Sequence, residues 1–123
     1  MRTTKRFLQF HKGVVKWAKF FYLHDWDISC YHKQDKDNTE ARATTVSSNQ
    51  EKDAQVCYST KIPKQYDSKF FAKKDAFHEA CEVLLSELDE LAREKTATGE
   101  QIDQARHTII NRLEKAIFYK QYK

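Results

Sequence analysis

The hydrophobic positions near the start of the chain recur at intervals of three and four residues. They are Phe7, Phe10, Val14, Trp17, Phe20 and Phe21. Lys12, Lys16 and Lys19 fall on the opposite, polar side of the same pattern. This spacing is typical of an amphipathic helix, here from about residue 5 to 23, and Gly13 is the point at which it could be interrupted.

After this segment the hydrophobic period shortens to two residues. Trp26, Ile28 and Cys30 alternate with more polar neighbours, which is typical of a strand buried on one face. A turn-rich break follows at residues 35–40, and the segments ARATTVSS and DAQVCYSTKI predict two further strands joined by NQEK. Because neighbouring strands with short polar connections form hairpins, we predict an antiparallel three-stranded meander that ends at Pro63.

The last part of the chain returns to helical periodicity. The apolar positions of the first predicted helix are Phe77, Ala80, Cys81, Leu84, Leu85, Leu88 and Leu91, and this helix runs to about Lys95. Thr98 and Gln101 have capping-box spacing at the start of a final helix. The apolar positions of that helix are Ile102, Ala105, Ile109, Leu113, Ala116 and Ile117. The short connection KTATG predicts that the two helices pack antiparallel.

These elements predict an α+β fold: an N-terminal helix, a three-stranded antiparallel sheet and two antiparallel C-terminal helices. A chain of 123 residues suits a single domain, here residues 1–123. No apolar run approaches the roughly 20 residues that span a bilayer, and the N-terminus lacks the apolar block of a secretory signal. We therefore expect a cytoplasmic protein without a membrane partner. Its three cysteines, which form no C-x-x-C pair, are expected to be free thiols.

The net charge of +4 is unevenly distributed along the chain. Residues 1–24 carry six basic side chains and no acid, whereas residues 76–104 carry eight acids against two basic side chains. Lysines beside aromatic residues give the electrostatic footprint of a polyanion-binding surface. Lys12, Lys16 and Lys19 therefore support one hypothesis, a non-catalytic module that binds nucleic acid or an acidic protein. The alternative is a solvated helix face whose aromatic residues are turned into the core.

The segment HEACE, residues 78–82, carries candidate chemistry. His78 and Glu82 lie one helical turn apart, a spacing at which two side chains can hold one metal ion, and Glu79 lies on the same turn. A hydrolytic zinc site needs three protein ligands, and His107 on the antiparallel helix is the candidate third. The pattern predicts a zinc site of His78, Glu82 and His107, with Glu79 as the general base toward metal-activated water. The alternative is a solvated His78–Glu82 pair beside a surface acid.

The order of these segments also resembles a known family. The run from Trp17 through LHDWDI, the alternating strands, HEACEVLL and ARHTIINRLE covers about residues 14–118. It is similar to the small zincin-type metallopeptidase-like proteins of bacteriophages, relatives of the SprT-like and minimal gluzincin group. The resemblance implies a phage-encoded zinc-dependent hydrolase of protein or peptide substrates in the host cytoplasm, with His78 as first ligand and Glu79 as base.

This chain departs from the usual pattern of that group at two positions. Glu82 stands where the motif has its second histidine, and His107 lies where the group typically offers a glutamate. A paired exchange preserves a zinc ligand set, but it leaves open whether the peptidase is active. The sequence also leaves open the substrate and the oligomeric state.

Overall fold

The structure is a computed structural model that describes residues 4–34, 36 and 39–122. Its helices are α1 (Lys5–Phe20), α2 (Lys69–Arg93) and α3 (Gly99–Leu113), and its strands are β1 (Asp27–His32), β2 (Ala43–Ser48) and β3 (Asp53–Tyr58). A 3₁₀ turn, Lys64–Tyr66, precedes α2. A π-helical turn, Glu114–Phe118, and a last helical turn, Tyr119–Tyr122, continue α3. The α+β fold is confirmed, whereas part of the turn predicted at residues 35–40 lies outside the described residues.

Side-chain caps fix where the three helices begin. The hydroxyl of Thr4 accepts a hydrogen bond from the Phe7 amide at the start of α1, and Ser68 does the same for the Phe71 amide at the start of α2. The capping box predicted at α3 is present, since the side chains of Thr98 and Gln101 each accept a hydrogen bond from the other's backbone N–H. These bonds satisfy amides that have no partner within the first helical turn.

The three strands form a mixed sheet, so the predicted antiparallel meander is wrong in its pairing. The strand order is β1-β3-β2, in which β1 pairs with β3 in parallel and β2 pairs with β3 antiparallel. Strands β2 and β3 form a hairpin, closed at Lys52 with a positive φ of 55°. The connection between β1 and β2, residues 33–42, is long enough to carry the chain past β3 to the far edge.

One face of the sheet packs against the helices. Ala54, Val56 and Tyr58 alternate along β3 and are buried against α1 and α2. The opposite face is open, and Val46 on β2 keeps 68% of its surface exposed. This arrangement places both long helices on one side of the sheet.

Helices α1 and α2 lie side by side and run in the same direction. Arg6 contacts Asp67 at 2.9 Å, and farther along the rings of Trp17 and Phe77 meet at a centroid distance of 4.7 Å. Between these contacts a Cβ on Gly13 would lie 2.7 Å from the Ala76 Cβ. Gly13 therefore permits close packing of the helices and does not interrupt α1.

The third helix folds back along α2, as the short connection predicts. Ile109 of α3 joins Ala80, Val83 and Leu84 of α2 in one core cluster. No helix within the described residues is both long enough and apolar enough to cross a membrane.

Candidate functional site

The predicted metal ligands His78 and Glu82 lie together on the surface of α2. The Nε2 atom of His78 is 3.4 Å from Oε1 of Glu82, and the side chains are 69% and 56% exposed. Two side chains in this position form a solvated pair, the arrangement expected of ordinary helix neighbours. The pair can also present two donors to a metal ion from the solvent side.

Glu79, the predicted general base, is buried between the helix and the sheet, and Asp75 is the other buried acid of α2. Only 5% of Glu79 is exposed. The Thr45 hydroxyl on β2 donates a 2.8 Å hydrogen bond to Oε1 of Glu79. Burial raises the pKa of this carboxyl above the ordinary value of 4.5, and the hydrogen bond from Thr45 opposes part of that rise. Glu79 is therefore not the surface acid of the simpler interpretation.

His107, the predicted third ligand, lies on the exposed side of α3. Ala105 and Ile109 are the buried positions of this helix, and residue 107 is about 200° of rotation from each of them. Its Nδ1 atom lies 2.7 Å from the Asp103 carbonyl oxygen one turn earlier. Among the described residues, no group of three His, Cys, Asp or Glu side chains is arranged to hold a metal ion. The structure thus does not bring His107 together with His78 and Glu82.

A second site lies between the exposed sides of α1 and the first half of α2. It is a groove of about 840 Å³, bordered by Lys12 and Lys16 on α1 and by Lys69, Lys73 and Lys74 on α2. We call it the basic groove. The lysines of each helix are one turn apart, 12 to 16 and 69 to 73, so both walls present ammonium groups along the same stretch.

Three aromatic side chains also line the basic groove. They are Trp17 from α1 and Phe70 and Phe77 from α2. Trp17 and Phe77 meet edge to face with an interplanar angle of 76°. Phe70 is 67% exposed and Phe77 is 40% exposed. The aromatic residues of α1 are therefore only partly turned into the core, because Trp17 also borders this groove.

The lysines of the basic groove have no carboxylate partner within the described part of the chain. There, every ion pair has arginine or histidine as its cation. The nearest acid in sequence, Asp75, accepts two hydrogen bonds of 2.9 Å from Arg42, which lies on the other side of α2. The positive charge of the groove is therefore uncompensated, which favours an anionic partner.

The charge changes sign along α2. Lys73 lies near its start, whereas Glu82, Glu87 and Glu90 follow toward its end. At a rise of 1.5 Å per residue, Lys73 and Glu90 are about 25 Å apart along the helix. Helix α2 therefore carries both signs of charge, while the basic segment predicted at residues 1–24 includes α1.

The predicted lysines on α1 do not all face the same way. Lys12 and Lys16 border the basic groove, whereas Lys19 borders a smaller groove beside β1 together with His24 and Trp26.

Sequence reasoning missed the lysines of α2 and the exposed ring of Phe70. The segment KFFAKK, residues 69–74, was the available signal, because it places lysines one turn apart beside phenylalanines.

Comparison with protein-family models, with curated proteins and with solved structures finds no match to this chain.

Proposed function

We propose that this protein is a non-catalytic binding module that holds nucleic acid in the basic groove. One observation carries the proposal: five lysines without an ionic partner among the described residues surround exposed aromatic rings. Phosphate groups supply the regularly spaced charge that two rows of lysines can follow. Aromatic rings supply surfaces on which bases stack.

The two-walled geometry is what favours binding over a merely solvated helix face. A solvated face has its lysines pointing apart into water on a convex helix surface. Here Lys16 on α1 and Lys73 on α2 border one concavity, so their like charges are held near each other. Like charges held together across an apolar floor destabilise the free protein and are stabilised by a bound anion.

The experiment is a binding titration with a fluorescently labelled 12-nucleotide DNA, followed by anisotropy across a salt series with and without a chelator. We expect binding that weakens steeply with salt and is unaffected by the chelator. The double variant Lys16→Gln/Lys73→Gln should weaken binding, whereas Lys19→Gln, on the same helix but outside the groove, should leave it unchanged. Absence of binding at low salt, or equal effects of all variants, would contradict the proposal.

A metal-dependent hydrolase is the second candidate. The observation that favours it is Glu79, a buried carboxyl with a raised pKa on the same turn as His78 and Glu82. Such a carboxyl is more basic than an exposed glutamate, which suits it to accept and return a proton. Against this candidate, a hydrolytic zinc site needs three protein ligands, and the described residues offer His78 and Glu82 without a third.

Elemental analysis of protein purified without a histidine tag tests this second candidate. The zinc site of the sequence prediction requires about one equivalent of zinc that is lost in both His78→Ala and His107→Ala. Zinc that is lost in His78→Ala but kept in His107→Ala would identify a site with a different third donor. No zinc before or after adding the ion would remove the second candidate.

A further inference from the structure

We infer that the ligand of the basic groove is single-stranded nucleic acid, of which three to four nucleotides lie between α1 and α2 with their bases on the aromatic floor. This inference rests on the proposed function and narrows it. It assigns the phosphates to the lysines and the base faces to the exposed rings of Phe70 and Phe77.

The exposed rings separate a single strand from a duplex. Phe70 keeps 67% of its surface exposed, although burying it in the protein would be favourable by the hydrophobic effect. In a duplex the faces of the bases are stacked on one another and only their edges are reachable from the grooves. A single strand can turn its bases onto Phe70 and Phe77 while its phosphates follow the lysines. An acidic peptide would satisfy the lysines but would leave the rings without a flat partner.

The length of the groove sets the number of nucleotides. Along α1 the groove runs from Gln9 to Trp17, a distance of eight residue steps, which is about 12 Å at 1.5 Å per residue. In one strand with duplex-like stacking, successive phosphates advance about 3.4 Å along the helix axis. Three to four nucleotides therefore fit along the groove, and three to four phosphates can be matched by its five lysines.

The salt dependence follows from that number. For single strands, log Kobs falls with log salt concentration at about 0.7 per neutralised phosphate. Three to four phosphates give a slope of about −2 to −3. Replacing Lys16 and Lys73 with glutamine removes two phosphate contacts. The slope of log Kobs against log salt concentration should then be less negative by about 1.4.

Tryptophan fluorescence can report a strand bound in the groove, because Trp17 lines it and contacts the exposed ring of Phe77. The chain has two tryptophans, and Trp26 lies outside the groove, so the Trp26→Phe variant leaves Trp17 as the single reporter. Adding oligo(dT) of four nucleotides should quench Trp17, and a matched 12-base-pair duplex should bind more weakly than a 12-nucleotide single strand. Phe70→Ala should weaken single-strand binding about five- to 140-fold, the effect of losing one stacked base. Tyr31→Ala, on the outer face of the sheet, is the control.

The outcomes distinguish this inference from the proposed function. If the duplex binds as tightly as the single strand, and Phe70→Ala has no effect while Lys16→Gln/Lys73→Gln does, nucleic acid binds but the single-strand inference is overturned. If hexaglutamate binds as tightly as the single strand, the groove recognises negative charge alone and the single-strand inference is overturned. Sedimentation at low salt tests whether a second copy of the chain occupies the groove. A dimer that excludes the oligonucleotide would mean that the groove binds the acidic end of a second copy, and it would overturn both the proposed function and the single-strand inference.

Discussion

Replacing Gly13 with alanine tests the close approach of α1 and α2. An added Cβ would lie 2.7 Å from the Ala76 Cβ, a separation that two methyl carbons do not tolerate. The contact is not relieved by a side-chain rotation, because both atoms are attached directly to helical backbone. One helix must therefore move away from the other, and the shift disturbs the packing of Phe10 and Val14 on each side of Gly13.

Two opposing effects set the magnitude. Alanine stabilises a helix interior by about 0.8–1 kcal/mol relative to glycine. Overpacking of a well-packed contact costs typically about 1–3 kcal/mol, and the rigid geometry here favours the upper part of that range. The expected net loss is about 1–2 kcal/mol. For a chain of 123 residues this lowers Tm by about 4–8 °C.

Urea and thermal unfolding followed by circular dichroism measure this loss. Gly99→Ala is the matched control, because Gly99 is the first residue of α3 and nothing lies within 4 Å of its added Cβ. That variant should be neutral or stabilised by up to about 1 kcal/mol. The double variant Gly13→Ala/Ala76→Gly removes the methyl group that the new Cβ would contact. It should therefore recover the stability that Gly13→Ala loses through overpacking. If Gly13→Ala stabilises the protein as Gly99→Ala does, the close helix contact is refuted.

Two further predictions concern buried charge. Because burial raises the pKa of Glu79 above 4.5, the native state holds this proton more tightly than the unfolded state, and stability falls as pH rises through the raised pKa. The Glu79→Gln variant has no carboxyl to ionise at this position, so it lacks this loss. Its free energy of unfolding in urea, relative to that of the wild type, should therefore increase from pH 4 to neutral pH. A difference that stays constant with pH would contradict the burial of Glu79. Arg42→Ala should cost about 3–5 kcal/mol because it leaves Asp75, with 10% of its side chain exposed, without its partner. Arg6→Ala, which breaks an exposed pair, should cost at most about 1 kcal/mol, and equal costs in equilibrium unfolding would refute this ranking.

The sequence predicted the elements better than their pairing. Apolar periodicity located the helices and strands, and the Thr98–Gln101 spacing located the start of α3. The pairing of β1 could not be read from periodicity, because a strand buried on one face has the same pattern beside either neighbour. The position of β1 next to β3 depends on the path of residues 33–42, which has no periodic signal.

The candidate site was only partly visible in the sequence for a related reason. Helical spacing placed His78 and Glu82 together, but the burial of Glu79 depends on Thr45, which comes from a strand 34 residues earlier. The basic groove needs two helices side by side, and the close approach of α1 and α2 is permitted by the contact between Gly13 and Ala76. Counting charges along the chain located the lysines of α1, but it did not show that the lysines of α2 line the same groove.

Amide chemical-shift mapping on isotope-labelled protein is the sharpest test of nucleic-acid binding in the basic groove, since it locates the bound strand without relying on a substitution. Unlabelled oligo(dT) of four nucleotides would be added at low salt, and the shift changes plotted on the structure. We expect the largest changes on residues 9–17 of α1 and 69–77 of α2, with little change at Thr45 and Glu82. Changes centred on β2 and the turn around Glu79, or no changes at all, would contradict binding in this groove.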